Sequence, residues 1–126
     1  MPLVRISLRH GKDAAYKKAL VDGIYGAMSQ AFGVPKDDLF MIVHEHDADA
    51  FFYSPSYLDI ARSDDLVIIQ ITANDTRDLP QKKAFYQGVA ERLAASPGVR
   101  KEDVFINLVE VKKENWSFGN GIAQYA

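Results

Sequence analysis

The chain has 126 residues, a formal net charge of −2 and 48% apolar residues. That length predicts one domain with a real core, and the composition excludes a disordered tail. The absence of a basic face argues against nucleic acid as a partner, and the absence of cysteine excludes disulfides, thiolate zinc sites and cysteine nucleophiles.

The start carries no apolar signal-like stretch, and the longest apolar run, Leu66 to Ile69, is far too short to span a bilayer. A soluble, cytoplasmic protein with no membrane partner is expected. Leu3 to Arg9 alternates apolar Val4, Ile6 and Leu8 with polar Arg5, Ser7 and Arg9, which predicts a strand with one buried face. A helix follows, its stripe made by Leu20, Ile24, Ala27, Met28, Ala31 and Phe32. Gly33 stops it and Pro35 prevents its return. Leu39 to His44 reads as the second strand. The stretch 45–65 holds Phe51-Phe52-Tyr53, Pro55 and Tyr57, too apolar for a plain linker, and is expected to fold back over the domain or meet a neighbouring subunit. Leu66 to Thr72, rich in β-branched residues, reads as the third strand. Pro80 sits near the start of a second helix with the stripe Phe85, Val89 and Leu93, and Ser96-Pro97-Gly98 ends it. Val104 to Val111 is the last strand.

The chain repeats itself at one constant offset, the step from Gly33 to Gly98. Gly33-Val34-Pro35-Lys36-Asp37-Asp38-Leu39-Phe40 falls on Gly98-Val99-Arg100-Lys101-Glu102-Asp103-Val104-Phe105. In the same register Lys17-Lys18-Ala19-Leu20 falls on Lys82-Lys83-Ala84-Phe85, and Leu3–Leu8 on Ile68–Ala73. An internal duplication is the simplest reading. The fold expected is α/β (α+β): a tandem β-α-β repeat giving a four-stranded sheet with parallel pairs and two helices on one face. The units run about 2–46 and 66–111, joined by 47–65 and followed by a tail, 112–126. The open face of such a sheet is expected to be apolar and to need cover, so a homo-oligomer is expected.

Chemistry concentrates at Pro2. Methionine followed by proline favours removal of the methionine, which leaves a secondary amine at the head of a strand. Such an amine titrates nearer neutrality than most side chains and serves as general acid, general base or nucleophile toward a carbonyl. On its own a Met-Pro start carries little weight. Asp38 has two readings of equal standing, because Asp103 occupies the same place in the second repeat and an aspartate capping the turn explains both. Arg77 suits a carboxylate ligand, although a lone loop arginine is more often plain surface. His44 and His46 share a face of a strand, but a zinc site needs a third ligand and nothing places His10 nearby. No metal and no cofactor are expected. Gly119-Asn120-Gly121 reads as a turn in the tail.

The segments Pro2-Leu3, Ala31-Phe32-Gly33-Val34-Pro35, Ile42-Val43-His44-Glu45-His46, Arg62-Ser63 and Asn115-Trp116-Ser117-Phe118-Gly119 with Ala123-Gln124 occur together and in order. In these residues the sequence resembles the tautomerase superfamily over nearly its whole length, and most closely the malonate semialdehyde decarboxylase-like branch. The resemblance implies a catalytic Pro2, an Asp38 that bonds the proline or positions water, and an Arg77 that takes the substrate carboxylate, with Asn74 of the same segment as a further substrate contact. It implies a pocket walled by Trp116 and Phe118, a small carboxylate substrate and a homotrimer. Where the decarboxylase pattern has two arginines one residue apart, this chain has Asn74-Asp75-Thr76-Arg77, with one. The activity expected is enol, enolate or hydration chemistry on a small oxo acid. The alternatives are a keto–enol tautomerase of the phenylpyruvate type and a non-catalytic oligomeric binding module.

Overall fold

The structure, a computed structural model, describes residues 2–126. Its elements are β1 (Leu3–Arg9), α1 (Ala14–Phe32), β2 (Met41–His46), β3 (Val67–Asn74), α2 (Leu79–Ala95) and β4 (Val104–Val111), with one-turn 3-10 helices at Ala48–Ala50, Tyr57–Asp59, Lys101–Asp103 and Lys113–Asn115. The four strands form one mixed sheet in the order β2-β1-β3-β4, with β1/β2 and β3/β4 parallel and β1/β3 antiparallel. This is the tandem β-α-β arrangement that the repeat predicts.

The core lies between one sheet face and both helices. Val4, Ile6 and Leu8 from β1 and Val67, Ile69, Ile71 and Ala73 from β3 are buried against Leu20, Ile24, Met28 and Phe32 of α1 and Phe85, Val89 and Leu93 of α2. The period of two along the strands and of about 3.6 along the helices puts these residues on facing surfaces. Phe32 and Phe85 stack at 4.6 Å between ring centroids where the two helices meet. Gly33 closes α1 in the left-handed conformation (φ 65°), where a side chain is disfavoured.

The duplication holds at atomic detail. Val4 pairs with Met41, and Ile69 with Ile106, the same pairing one repeat further along. The amide of Val34 donates to Met28 O, and that of Val99 to Leu93 O. Lys17 pairs with Glu45, and Lys82 with Glu110.

Three expectations need correction. The second strand begins at Met41, not Leu39, because Leu39 and Phe40 follow the Asp38 turn and face outward, each about half exposed. The third runs from Val67 to Asn74, two residues beyond Thr72, because β4 continues to pair with it as far as Val111. The open sheet face is also not simply apolar. Arg5, Ser7, His44, His46 and Gln70 lie there around Ile68, because β1 and β3 alternate polar residues opposite their core-facing ones. Ile42, Phe105 and Val109 supply its exposed apolar part.

The connecting segment does fold back. Phe51 is buried, Tyr53 donates to Asp64 Oδ1 at 2.6 Å, and Arg62 reaches Tyr57 O at 3.0 Å. Its turn needs positive φ at Leu58 and Asp59, and Phe52, Tyr57 and Leu58 stay exposed.

Candidate active site

Pro2 is buried at the head of β1 and lines a cavity of about 210 Å³ with Leu3, Phe40, Trp116, Ser117 and Phe118. The tail reaches this place because β4 ends beside it and the turn Lys113–Asn115 sends the chain back across the strand ends. Trp116 and Phe118 stack at 5.4 Å, and Tyr125 meets Phe118 edge-on at 4.9 Å. Gln124 fastens the loop from both sides: its Oε1 accepts from the Phe118 amide at 2.9 Å and its Nε2 donates to Gly119 O at 3.0 Å. Trp116 Nε1 donates to the buried Asn74 Oδ1 at 2.8 Å. Asn74 therefore ties the aromatic wall to the end of β3.

Among the described residues, Asp38 is one of three buried polar side chains. The turn that carries it is held by its own amide on Pro35 O at 3.1 Å and by the Tyr25 hydroxyl of α1, which meets the carbonyls of Pro35 and Lys36. Among the described residues, Asp38 Oδ1 has no hydrogen-bond partner. Burial pushes its carboxyl above the usual aspartate range, and the positive charge of Arg77 pulls it part of the way back.

Arg77 does not wall the Pro2 cavity. It lies in an adjoining narrow crevice with Phe32, Ala73, Asn74, Lys82, Leu108 and Glu110. Its Nη2 donates to Phe32 O at 3.3 Å and its guanidinium sits 5.1 Å from the Phe32 ring centre. A cation on the last carbonyls of a helix is a favourable contact in itself. Of the residues singled out in the sequence, Pro2, Trp116 and Phe118 thus share one cavity. Asn74 joins that cavity to the Arg77 crevice, and Asp38 feels the charge of Arg77. Phe40 is the wall residue that sequence reasoning missed. Its signal was present: it follows the Asp38 turn as an apolar residue outside the strand's alternation.

The histidines do not gather. His44 accepts from Arg5 Nη1 at 3.2 Å, and His10 Nδ1 lies 2.6 Å from Glu45 Oε2. His10 does come close to His46, whose carbonyl accepts its amide at 2.8 Å. Among the described residues no group of three or more potential metal ligands is assembled, and no helix is long and apolar enough to cross a membrane.

Known proteins agree with this arrangement. A family model described as a tautomerase enzyme matches residues 38–119, and a second of the same description matches residues 2–59. The probable tautomerase YusQ of Bacillus subtilis (strain 168) is 43% identical over 124 residues, 98% of each chain. The chain belongs to the tautomerase family. Among solved structures, malonate semialdehyde decarboxylase superposes on this tautomerase-family chain with a TM-score of 0.92 at 32% identity, covering 98% of this chain and 95% of that one. This places the chain in the branch that resembles that decarboxylase. A fused 4-OT symmetric trimer matches with a TM-score of 0.79 at 21% identity over 98% of this chain and 97% of that one, a likeness of fold alone.

Proposed function

We propose that the chain is an amino-terminal-proline enzyme acting on a small oxo acid, most like malonate semialdehyde decarboxylase. The observation that carries this reading is Asp38: a buried carboxyl whose Oδ1 has no partner among the described residues, in the turn beside a cavity that Pro2 lines. Removal of Met1 frees the Pro2 amine. Asp38 favours its cationic form, which polarises the substrate carbonyl. Arg77 swings from Phe32 O to hold the substrate carboxylate, and Asn74 helps to fix its orientation. The bond to the carboxylate carbon breaks, carbon dioxide leaves, and the electron pair moves into the carbonyl as an enolate that takes a proton at carbon. Trp116, Phe118 and Phe40 exclude water and strengthen each charge interaction. Hydration of a triple or double bond uses the same parts, with Asp38 orienting the water.

One observation favours a second reading. Phe40, Trp116 and Phe118 make half of the cavity wall, which suits a phenylpyruvate-type substrate and a neutral Pro2 that moves a proton between oxygen and carbon. The Pro2 pKa separates the two: a value well above neutrality rules out the general base, and a value below it rules out the cationic polariser.

The test is an assay of the processed protein and its Pro2→Ala variant on malonate semialdehyde, phenylpyruvate and halogenated acrylates, with intact mass confirming loss of Met1. Pro2→Ala is expected to lower kcat/KM by about 10²–10⁴-fold on the true substrate. Equal rates in both forms end the proposal. We also propose a homotrimer assembled through the open sheet face, supported by the exposed Ile42, Phe105 and Val109 on it. Light scattering on the purified protein that returns a monomer mass overturns this.

A further inference from the structure

The two halves carry corresponding residues at the same register, and in the second half the chain itself supplies their partners. By the step that carries Gly33 to Gly98, Pro2 corresponds to Val67, Asp38 to Asp103 and Lys12 to Arg77. The correspondence is anchored on every side. Asp13 and Asp78 cap the two helices, and the amides of Asp38 and Asp103 donate to Pro35 O and Arg100 O at 3.1 and 2.9 Å.

In the second half the chain runs on upstream of Val67, and residues 63–65 fill the place. The Ser63 hydroxyl donates to Asp103 Oδ2 at 2.6 Å, and the Ser63 amide donates to Asp103 Oδ1 at 2.7 Å. Two residues on, the Asp65 carboxylate sits 2.8 Å from Lys12 Nζ. The aspartate thus receives a hydroxyl and an N–H, and the cation receives a carboxylate. Both groups come from one short turn, in which the Asp65 amide donates to Ser63 Oγ at 3.2 Å. In the first half, among the described residues, Asp38 Oδ1 stands without a partner, and Arg77 is engaged by Phe32 O and the Phe32 ring.

We infer that residues 63–65 are a built-in occupant of a second, closed copy of the site, and that they state the chemistry of the ligand for the open copy. That ligand is a short hydroxy acid, or the enol or hydrate of an oxo acid. Its hydroxyl donates to Asp38 and its carboxylate binds Arg77, while the Pro2 N–H supplies the second donor as the Ser63 amide does. The inference deepens the proposed function and rests on its exposure of the Pro2 amine. A hydroxyl on a buried charged acceptor is a strong discriminator, because the parent acid leaves that acceptor unmet.

The test compares 3-hydroxypropanoate with propanoate and 4-hydroxybutanoate with butanoate, on the processed protein. Binding is read by calorimetry and by the fluorescence of Trp116, the single tryptophan, which lines the cavity. At least one hydroxy acid is expected to bind about tenfold more tightly than its parent. That advantage should shrink in Asp38→Asn, which keeps a neutral acceptor, and vanish in Asp38→Ala, while Arg77→Ala weakens acid and parent alike. No hydroxyl advantage in either pair, an advantage undiminished in Asp38→Asn, or no binding of any of the four acids overturns the inference. If Arg77→Ala leaves the parent acids' affinity unchanged, the carboxylate anchor of the proposed function fails instead, and the hydroxyl comparison still reads on Asp38.

Discussion

The two halves of this molecule share a backbone and differ in what they do with one aspartate. Asp103 is fully buried and met by the Ser63 amide, the Ser63 hydroxyl and Arg100, so it ties the connecting segment to the turn before β4. Asp38 occupies the same turn before β2, buried to 7% exposure with Oδ1 unmet among the described residues. A buried polar group without a partner costs free energy that folding must offset elsewhere. Such a cost persists most readily where a ligand or a reacting group completes the set. The same residue at the same position is thus a structural tie in one half and an unfinished contact in the other.

The largest expected effect breaks that symmetry by substitution. Asp103→Ala strands the Ser63 donors and Arg100, and should lower unfolding free energy by about 3 kcal/mol. Asp38→Ala removes a carboxyl that makes no such bonds and should move stability by about 1 kcal/mol or less, in either direction. Urea unfolding of both variants measures the contrast. Equal losses would mean that Asp38 is a structural tie after all.

A smaller effect follows from pH. Burial, the leading cause, raises the Asp38 carboxyl above its unfolded value, so the native chain holds this proton after the unfolded chain has released it. Unfolding then releases a proton, and the Asp38 contribution to stability declines as pH rises from about 3.9 to the raised native value, staying flat above it. The stability of wild type relative to Asp38→Asn should therefore fall between pH 4 and pH 7. Unfolding midpoints at the two pH values read it, and a rise would reverse the assigned sign.

The contrast between the aspartates also shows what a sequence can disclose. The repeat was legible because its matched groups (Gly33 with Gly98, Lys17 with Lys82, Asp38 with Asp103) serve the same local backbone in each half. Strand and helix stripes were legible for the same reason: period and burial are local. The fate of Asp38 was not, since its difference from Asp103 lies in residues 63–65, which are remote from Asp103 in sequence. Arg77 was legible as a cation in the right loop, but its rest position on Phe32 O depends on how α1 meets α2. The turn at Leu58 and Asp59 was hidden because leucine gives no signal for positive φ and a lone aspartate only a weak one.

The helix starts give the finest comparison. Both carry an aspartate cap in the same register, with Asp13 Oδ1 accepting from the Tyr16 amide at 2.8 Å and Asp78 Oδ1 from the Gln81 amide at 2.9 Å. Only α2 closes the reciprocal bond, in which Gln81 Oε1 accepts from the Asp78 amide at 3.0 Å. Tyr16 has no side-chain oxygen within reach of the Asp13 amide and instead lies under Lys12, 4.9 Å from its ring centre. Asp13→Ala should cost about 1 kcal/mol. Gln81→Ala tests the extra bond without touching the cap itself and should cost about 0.5 kcal/mol. Tyr16→Gln should import the reciprocal bond into the first half and recover a similar amount, less whatever Tyr16 contributes by packing on Lys12. If Tyr16→Gln and Gln81→Ala shift the unfolding midpoint in the same direction, packing on Lys12 outweighs the cap in the first half. The two helix starts would then differ by more than one hydrogen bond.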